Sequence, residues 1–355
     1  MQAKGVIMAR QGESAPALVK LSSETNKPDH TEQCHHKPSQ SLGTVVCAQT
    51  TNLTALSPAH LTQVAKAFNQ RLALRAPFYA QHFVATTKPQ GLCFDTWSQP
   101  AVYQQLLLDF AKAYPPLAKT TSSIPTGNIP EQILLSHSRN SKALHSLWGQ
   151  WYFGLLVPPM LEWIINAPYS LARPLEQIEQ IDIAPEHFYL RPHDSGRVAG
   201  FEFQLTLAPT PQVKTAIVKA ARVKTTVLTP FRERQLIKWI QSHLIPSVER
   251  LTGLSPTPAK LYWSHLGYLI HWYLGEMALP EIEFERLKAL LFNTKAFEDG
   301  EVNPLYNSIN LLPASAAHAD NIRRVCCLRY QLVNSHRCGD CPLATRVQAK
   351  RAAQA

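Results

Sequence analysis

Seven cysteines are spread unevenly along this 355-residue chain, and four of them fall within sixteen positions near its end. That stretch reads Arg323-Arg324-Val325-Cys326-Cys327-Leu328-Arg329-Tyr330, followed by Cys338-Gly339-Asp340-Cys341-Pro342. A Cys-x2-Cys turn lets two thiolates meet at one metal atom, and Gly339 eases the tight backbone this needs. Four thiolates suit either tetrahedral zinc or an iron–sulfur cluster, and spacing alone leaves both open. The adjacent pair Cys326-Cys327 departs from the paired knuckles of structural zinc sites, while a proline directly after the last cysteine also occurs in bacterial iron–sulfur motifs. Neighbouring side chains normally diverge, so both can serve one centre only where the local backbone bends. Cys34, Cys47 and Cys93 lie scattered and read as incidental or buried.

The same segment is rich in cations: Arg323, Arg324, Arg329, Arg337 and Arg346 stand against Asp340 alone. Such an excess offsets the negative charge of thiolates and draws in an anionic ligand or an acidic partner. A second basic stretch, Lys214, Lys219, Arg222, Lys224, Arg232 and Arg234, contains the single acid Glu233 and reads first as a solvated face. His265 and His271 are six apart on a predicted helix, which puts them on different faces. No Gly-x-Gly-x-x-Gly follows a strand, so direct use of a dinucleotide or flavin is not indicated.

The elements that must hold the cysteines are mostly helical. Residues 1–50 lack a sustained apolar period and read as a poorly ordered tail, Asp29-His30 and Cys34-His35-His36 included. Ser57-Pro58, Thr229-Pro230 and Thr257-Pro258 read as helix openings, a capping hydroxyl followed by proline at the first position. Pro246 is a point of kinking, and the helix containing it is expected to end by Gly253. Leu144, Leu147, Trp148, Trp151, Tyr152, Leu155 and Leu156 follow the helical rhythm as one amphipathic face, in a helix expected to stop at Pro158-Pro159. Trp148, Trp151, Tyr152, Trp263, Trp272 and Tyr273 read mainly as core. Strands are expected near residues 187–192 and 198–205, joined by the turn residues Asp194-Ser195-Gly196. The fold class is therefore α+β, predominantly helical with a small antiparallel sheet, ending in the cysteine segment. The domain reading is a tail over 1–50, one α+β domain over 51–315 and a C-terminal cysteine segment over 316–355.

From Arg323 to Leu343 the Cys-Cys-x10-Cys-x2-Cys pattern resembles the C-terminal motif of the FhuF-type ferric-siderophore reductases. Leu147-Trp148-Gly-Gln-Trp151-Tyr-Phe-Gly-Leu-Leu-Val-Pro158-Pro159 and Asn303-Pro304-Leu305 are similar to stretches of that family too, and the likeness spans roughly 57–345. What the resemblance implies is a 2Fe–2S cluster on Cys326, Cys327, Cys338 and Cys341, which passes one electron to siderophore-bound ferric iron. Arg324 and Arg329, from the positive charge of the segment, are the candidate substrate-binding residues. A separate ferredoxin or flavodoxin-like protein is the implied electron donor.

Composition agrees with a soluble protein, with 45% hydrophobic residues and a formal charge of +10. The opening residues lack a secretory core, and reduced thiols fit an intracellular setting. The expected location is the cytoplasm, with the inner face of the membrane as a secondary contact. Two other functions compete. One is a zinc-bearing basic module that binds nucleic acid, weakened by the adjacent cysteines and by the lack of a groove-entering element. The other is a non-catalytic siderophore-binding protein with a structural cluster.

Overall fold

In the computed structural model, residues 57–114, 138–166, 181–207, 231–311, 322–332, 335–338 and 341–343 are described. The expected tail, the start at Thr229-Pro230, Lys214 to Lys224 and Arg346 lie outside them. Helix α1, Pro58–Arg75, starts where the capping reading put it: the Ser57 hydroxyl accepts the His60 N–H, and the His60 ring accepts the Ser57 N–H. Its Leu61, Ala65, Phe68 and Leu72 recur on one buried face. Asn69 ties this helix to strand β1, Phe83–Thr86, donating to and accepting from the Ala85 backbone at 2.8 Å each way.

Helices α2 (Pro77–Ala80), α3 (Phe94–Trp97) and α4 (Pro100–Ala111) lead toward α5, Ser138–Asn166. Two expectations about α5 change. It does not stop at Pro158-Pro159 but continues to Asn166, and it is not amphipathic. Val157, Met160 and Leu161 are fully buried, as are nearly all residues from Ser141 to Ile165; Lys142 is exposed and Trp151 half-buried. Each internal proline costs about 3 kcal/mol in lost hydrogen bonding and crowding. Each large apolar side chain taken fully out of water returns about 1.5–3 kcal/mol, and the last two turns bury several of them, so burial wins.

Strands β2 (Phe188–Pro192) and β3 (Val198–Gln204) form the expected antiparallel hairpin, turning through Gly196 at φ +73°. The sheet is mixed, however: β1 joins β3 in parallel, Phe83 opposite Phe201. This sheet lies on α5. Helix α6, Phe231–Trp239, passes through one π turn at Ile240–Leu244 into α7, Ile245–Leu254. The wider turn lets the chain pass Pro246, which has no N–H to give, without breaking. The basic residues Arg232 and Arg286 pair with Glu283 and Glu233, so this end of the basic stretch is an ion-paired face.

Helix α8, Ala259–Glu276, packs along α5. Its expected cap is corrected: Pro258 occupies the cap position, and the Thr257 hydroxyl instead donates across to the Lys142 carbonyl at 3.4 Å. Helix α9, Glu281–Lys288, and a π turn at Ala289–Asn293 follow. Asn303 closes that turn, its amide donating to the carbonyls of Leu290, Leu291 and Thr294. Strands β4 (Ile309–Asn310) and β5 (Ile322–Arg323) pair antiparallel against α8. Among the described residues no helix is long and apolar enough to cross a membrane.

Buried imidazoles give this core a pH dependence. His243 is fully buried, its Nδ1–H donating to the Ile183 carbonyl at 3.1 Å, and burial pulls its pKa down to about 3. An unfolded histidine titrates near 6.5, so between about pH 6.5 and 3 the unfolded chain takes up a proton that the folded one refuses. Stability present above that window is lost as pH falls through it, by up to about 1.4 kcal/mol per pH unit for this residue. His243→Leu should therefore show a shallower acid limb of Tm against pH than the parent. An unchanged slope would mean the imidazole is not the titrating group.

Candidate metal centre

The cysteine segment is held by both central helices. Val325 N–H donates to the Ser264 hydroxyl of α8 at 3.1 Å, and the Ser146 hydroxyl of α5 donates to the Cys327 carbonyl at 2.7 Å. Ser146 has one proton and spends it on that carbonyl, so the 3.1 Å contact with His265 runs from the His265 Nε2–H to the serine oxygen. His265 is thus a neutral imidazole: burial first, then the Arg323 cation, depress its pKa to about 3. A chain from His265 through Ser146 fixes the carbonyl between the two buried helices. None of these three anchors was singled out for this role from sequence.

Just beyond the adjacent cysteines, Leu328 takes a left-handed conformation at φ 61°, and a single 3-10 turn, Arg329–Gln331, packs against α5. This is the bend that adjacent cysteines require. It also aims the Leu328 N–H at the Cys326 sulfur, 3.4 Å away. Cys327 Sγ lies 3.7 Å from Cys338 Sγ. Metal–sulfur bonds of about 2.3 Å at tetrahedral angles place two thiolates about 3.8 Å apart, so this separation suits two ligands of one metal atom. Cys326 and Cys327 shift one another's acidity in opposite directions, and Cys341 acts electrostatically on both Cys326 and Cys338. The four cysteines therefore lie within electrostatic reach of one another, with one close pair. Among the described residues no trio of His, Cys, Asp or Glu closes around a single ion, and His265 and His271 do not share a site.

Burial divides the quartet. Cys327 and Cys341 are buried, and Cys326 and Cys338 are half-exposed. Hydrogen bonds from Cys326 and Cys338, with help from Arg323, hold Cys327 as the thiolate, while those same bonds push its two partners up. Arg323 is only 2% exposed, lies over the Tyr268 ring at 4.4 Å, and has Nε and Nη1 buried without hydrogen-bond partners among the described residues. A buried guanidinium with two unpartnered nitrogens, next to a pair of sulfurs 3.7 Å apart, fits a bound anionic group. Arg324 is exposed and donates to the Asn307 carbonyl at 2.8 Å, Arg329 is half-buried with a buried Nε lacking such a partner, and exposed Arg337 lies over Tyr330. The arginines are thus not one surface group. Cys93 stands apart, its sulfur 3.0 Å from the Thr96 hydroxyl.

A helical α+β core with a terminal four-cysteine loop seated on two buried helices defines the class: a protein with a thiolate-bound metal centre. A family model described as "Ferric iron reductase FhuF-like transporter" matches residues 146–319, and "FhuF 2Fe-2S C-terminal domain" matches 323–343. The ferric siderophore reductase of Escherichia coli (strain K12) is 32% identical over 260 residues, which cover 68% of this chain and 87% of that protein. This chain belongs to the FhuF family. The C-terminal match also decides between the zinc and iron–sulfur readings that cysteine spacing left open: the cofactor is a 2Fe–2S cluster.

Proposed function

We propose that Cys326, Cys327, Cys338 and Cys341 hold the 2Fe–2S cluster, and that the protein reduces the ferric iron of a siderophore and releases ferrous iron in the cytoplasm. The observation that carries this reading is the 3.7 Å approach of the Cys327 and Cys338 sulfurs, beside a buried arginine whose Nε and Nη1 have no partner among the described residues, in a segment that matches a 2Fe–2S domain. When bound, the cluster supplies single electrons. The protein's own residues do the rest. Cys327 and Cys341 sit on the closed inner side, whereas Cys326 and Cys338 lie at the half-exposed edge that a bulky ferric complex can approach. Arg324 and Arg329 attract and orient an anionic complex there. Hydroxamate and catecholate oxygens hold ferric iron far better than ferrous, so reduction itself loosens the metal. A ferredoxin or flavodoxin-like donor replaces the electron, and nucleic acid has no part. The working division of the chain is a tail over 1–50, a reductase domain over 51–315 and a cluster segment over 316–355. Any contact with the inner membrane is peripheral.

The test begins with protein purified without oxygen, which should be red-brown and bleach with dithionite. After removal of dithionite, a ferric hydroxamate should restore the oxidised spectrum, and a ferrous-selective chelator should colour in proportion. A bleached spectrum that persists after the ferric complex is added would reject the reductase reading and leave a siderophore-binding protein with a structural cluster. The anchor also has a measurable role. Ser146→Ala leaves the buried Cys327 carbonyl without its donor, worth about 1–3 kcal/mol. Iron should then pass to a chelator about tenfold faster than from the parent.

A further inference from the structure

Arg323 is the least ordinary charge in the molecule. It ends strand β5, three positions before Cys326, and is 2% exposed although an arginine is almost never fully buried without a partner. The described residues offer it the Tyr268 ring face at 4.4 Å and no carboxylate; its Nε and Nη1 have no acceptor. Burying a cation so poorly compensated is strongly unfavourable. Anionic chemistry lies beside it: Val325, two residues on, is tied to Ser264 of the same helix that carries Tyr268, the adjacent cysteines follow directly, and the Arg323 cation helps to hold Cys327 as the thiolate. The neighbouring Arg324 is exposed and satisfied by a backbone carbonyl. The two adjacent arginines have therefore parted roles, one inward and one outward.

We propose that Arg323 is the positioning residue that sets the cluster's reduction potential, a buried cation that favours the reduced state. This rests on the four-cysteine reading of the centre. Reduction adds one negative charge to a group that already carries thiolates and sulfide. A cation fixed within electrostatic reach, shielded from water, lowers the free energy of that extra charge more than that of the oxidised form. The potential is therefore higher than the thiolates alone would give. Tyr268 holds the guanidinium by its face and leaves the N–H edge free to donate. Because the charge is buried, salt cannot screen it, unlike the exposed arginines around it.

The experiment is an anaerobic spectroelectrochemical titration of intact protein, with iron content measured beside it. Arg323→Gln should lower the equilibrium constant for reduction at least tenfold, which for a one-electron couple is about 59 mV more negative. Arg323→Lys should recover most of that loss, and Arg324→Gln should shift the potential far less. An unchanged potential in iron-loaded Arg323→Gln, or an equal shift in Arg324→Gln, would overturn the proposal. Should Arg323→Gln fail to retain iron, the parent protein still decides. Its potential should hold steady between low salt and 1 M salt, and a marked fall on adding salt would assign the tuning to exposed arginines and overturn it. A colourless parent protein would instead remove the cluster reading itself, a different and separately visible failure.

Discussion

Cys327→Ser is expected to yield protein with no visible absorption and little iron, while its far-ultraviolet circular dichroism keeps the helical signal of the parent. Cys327 is the hub of the quartet: it is 2% exposed, lies 3.7 Å from Cys338 Sγ, and its backbone carbonyl is held by Ser146. A serine hydroxyl is a shorter, harder ligand that stays protonated near neutral pH, so it neither reaches nor binds the soft metal as the thiolate does. The core survives because its large apolar side chains belong to α5, α8 and the sheet, not to the cysteine loop. Cys341→Ser, at the other buried sulfur, should behave alike. Cys93→Ser is the control. Cys93 precedes α3 at the cap position, where serine is the better capping residue, so colour and iron should match the parent and stability should hold or rise slightly. Retained absorption in Cys327→Ser would show that this sulfur is not a ligand. Loss of the helical signal would show that the core depends on the centre.

The cluster segment was legible because its chemistry is local: four cysteines in sixteen positions need only one bend, and the bend falls at Leu328, beside the adjacent pair. The start of α1 and the β2–β3 hairpin were legible for the same reason, being set by a cap and by turn residues a few positions apart. What holds the quartet was not. Ser146 meets the Cys327 carbonyl across 181 positions, and Ser264 meets Val325 across 61. Two serines and a histidine inside apolar helices carry no signal of partners so distant. The parallel pairing of β1 escaped notice because its four residues meet β3 only through an intervening stretch more than a hundred positions long. The passage of α5 through Pro158-Pro159 was missed because local breaking power is readable in two residues, whereas the burial that outweighs it is a property of everything packed around them. Arg323 shows the same divide: sequence gives its charge, and only the fold gives its burial.

The contact between α5 and α8 is where that distant information concentrates, and Gly149→Leu tests it. A side chain built at Gly149 would place its first carbon 2.6 Å from the Tyr262 ring of α8, closer than van der Waals contact permits. Tyr262 has little room to yield, since it is fully buried and its hydroxyl is bonded to Ser255 at 3.0 Å. Ser146 lies one turn away on α5, and Ser264 lies two residues beyond Tyr262 on α8, so a wedge here separates the two serines that hold the cysteine loop. Overpacking of this kind costs about 1–3 kcal/mol, with the upper end expected because leucine is larger than a single added methylene. Tm should fall by several degrees, and iron retained after chelator challenge should fall with it. Gly253→Ala gives the opposite sign from the same kind of change. Nothing lies within 4 Å of its would-be side chain, and it sits inside α7, so replacing the flexible glycine should stabilise by up to about 1 kcal/mol and leave iron content alone. If Gly149→Leu kept its iron against the chelator despite a lowered Tm, the helix contact would be structural only, and the loop would be held by its own turn rather than by the two helices together.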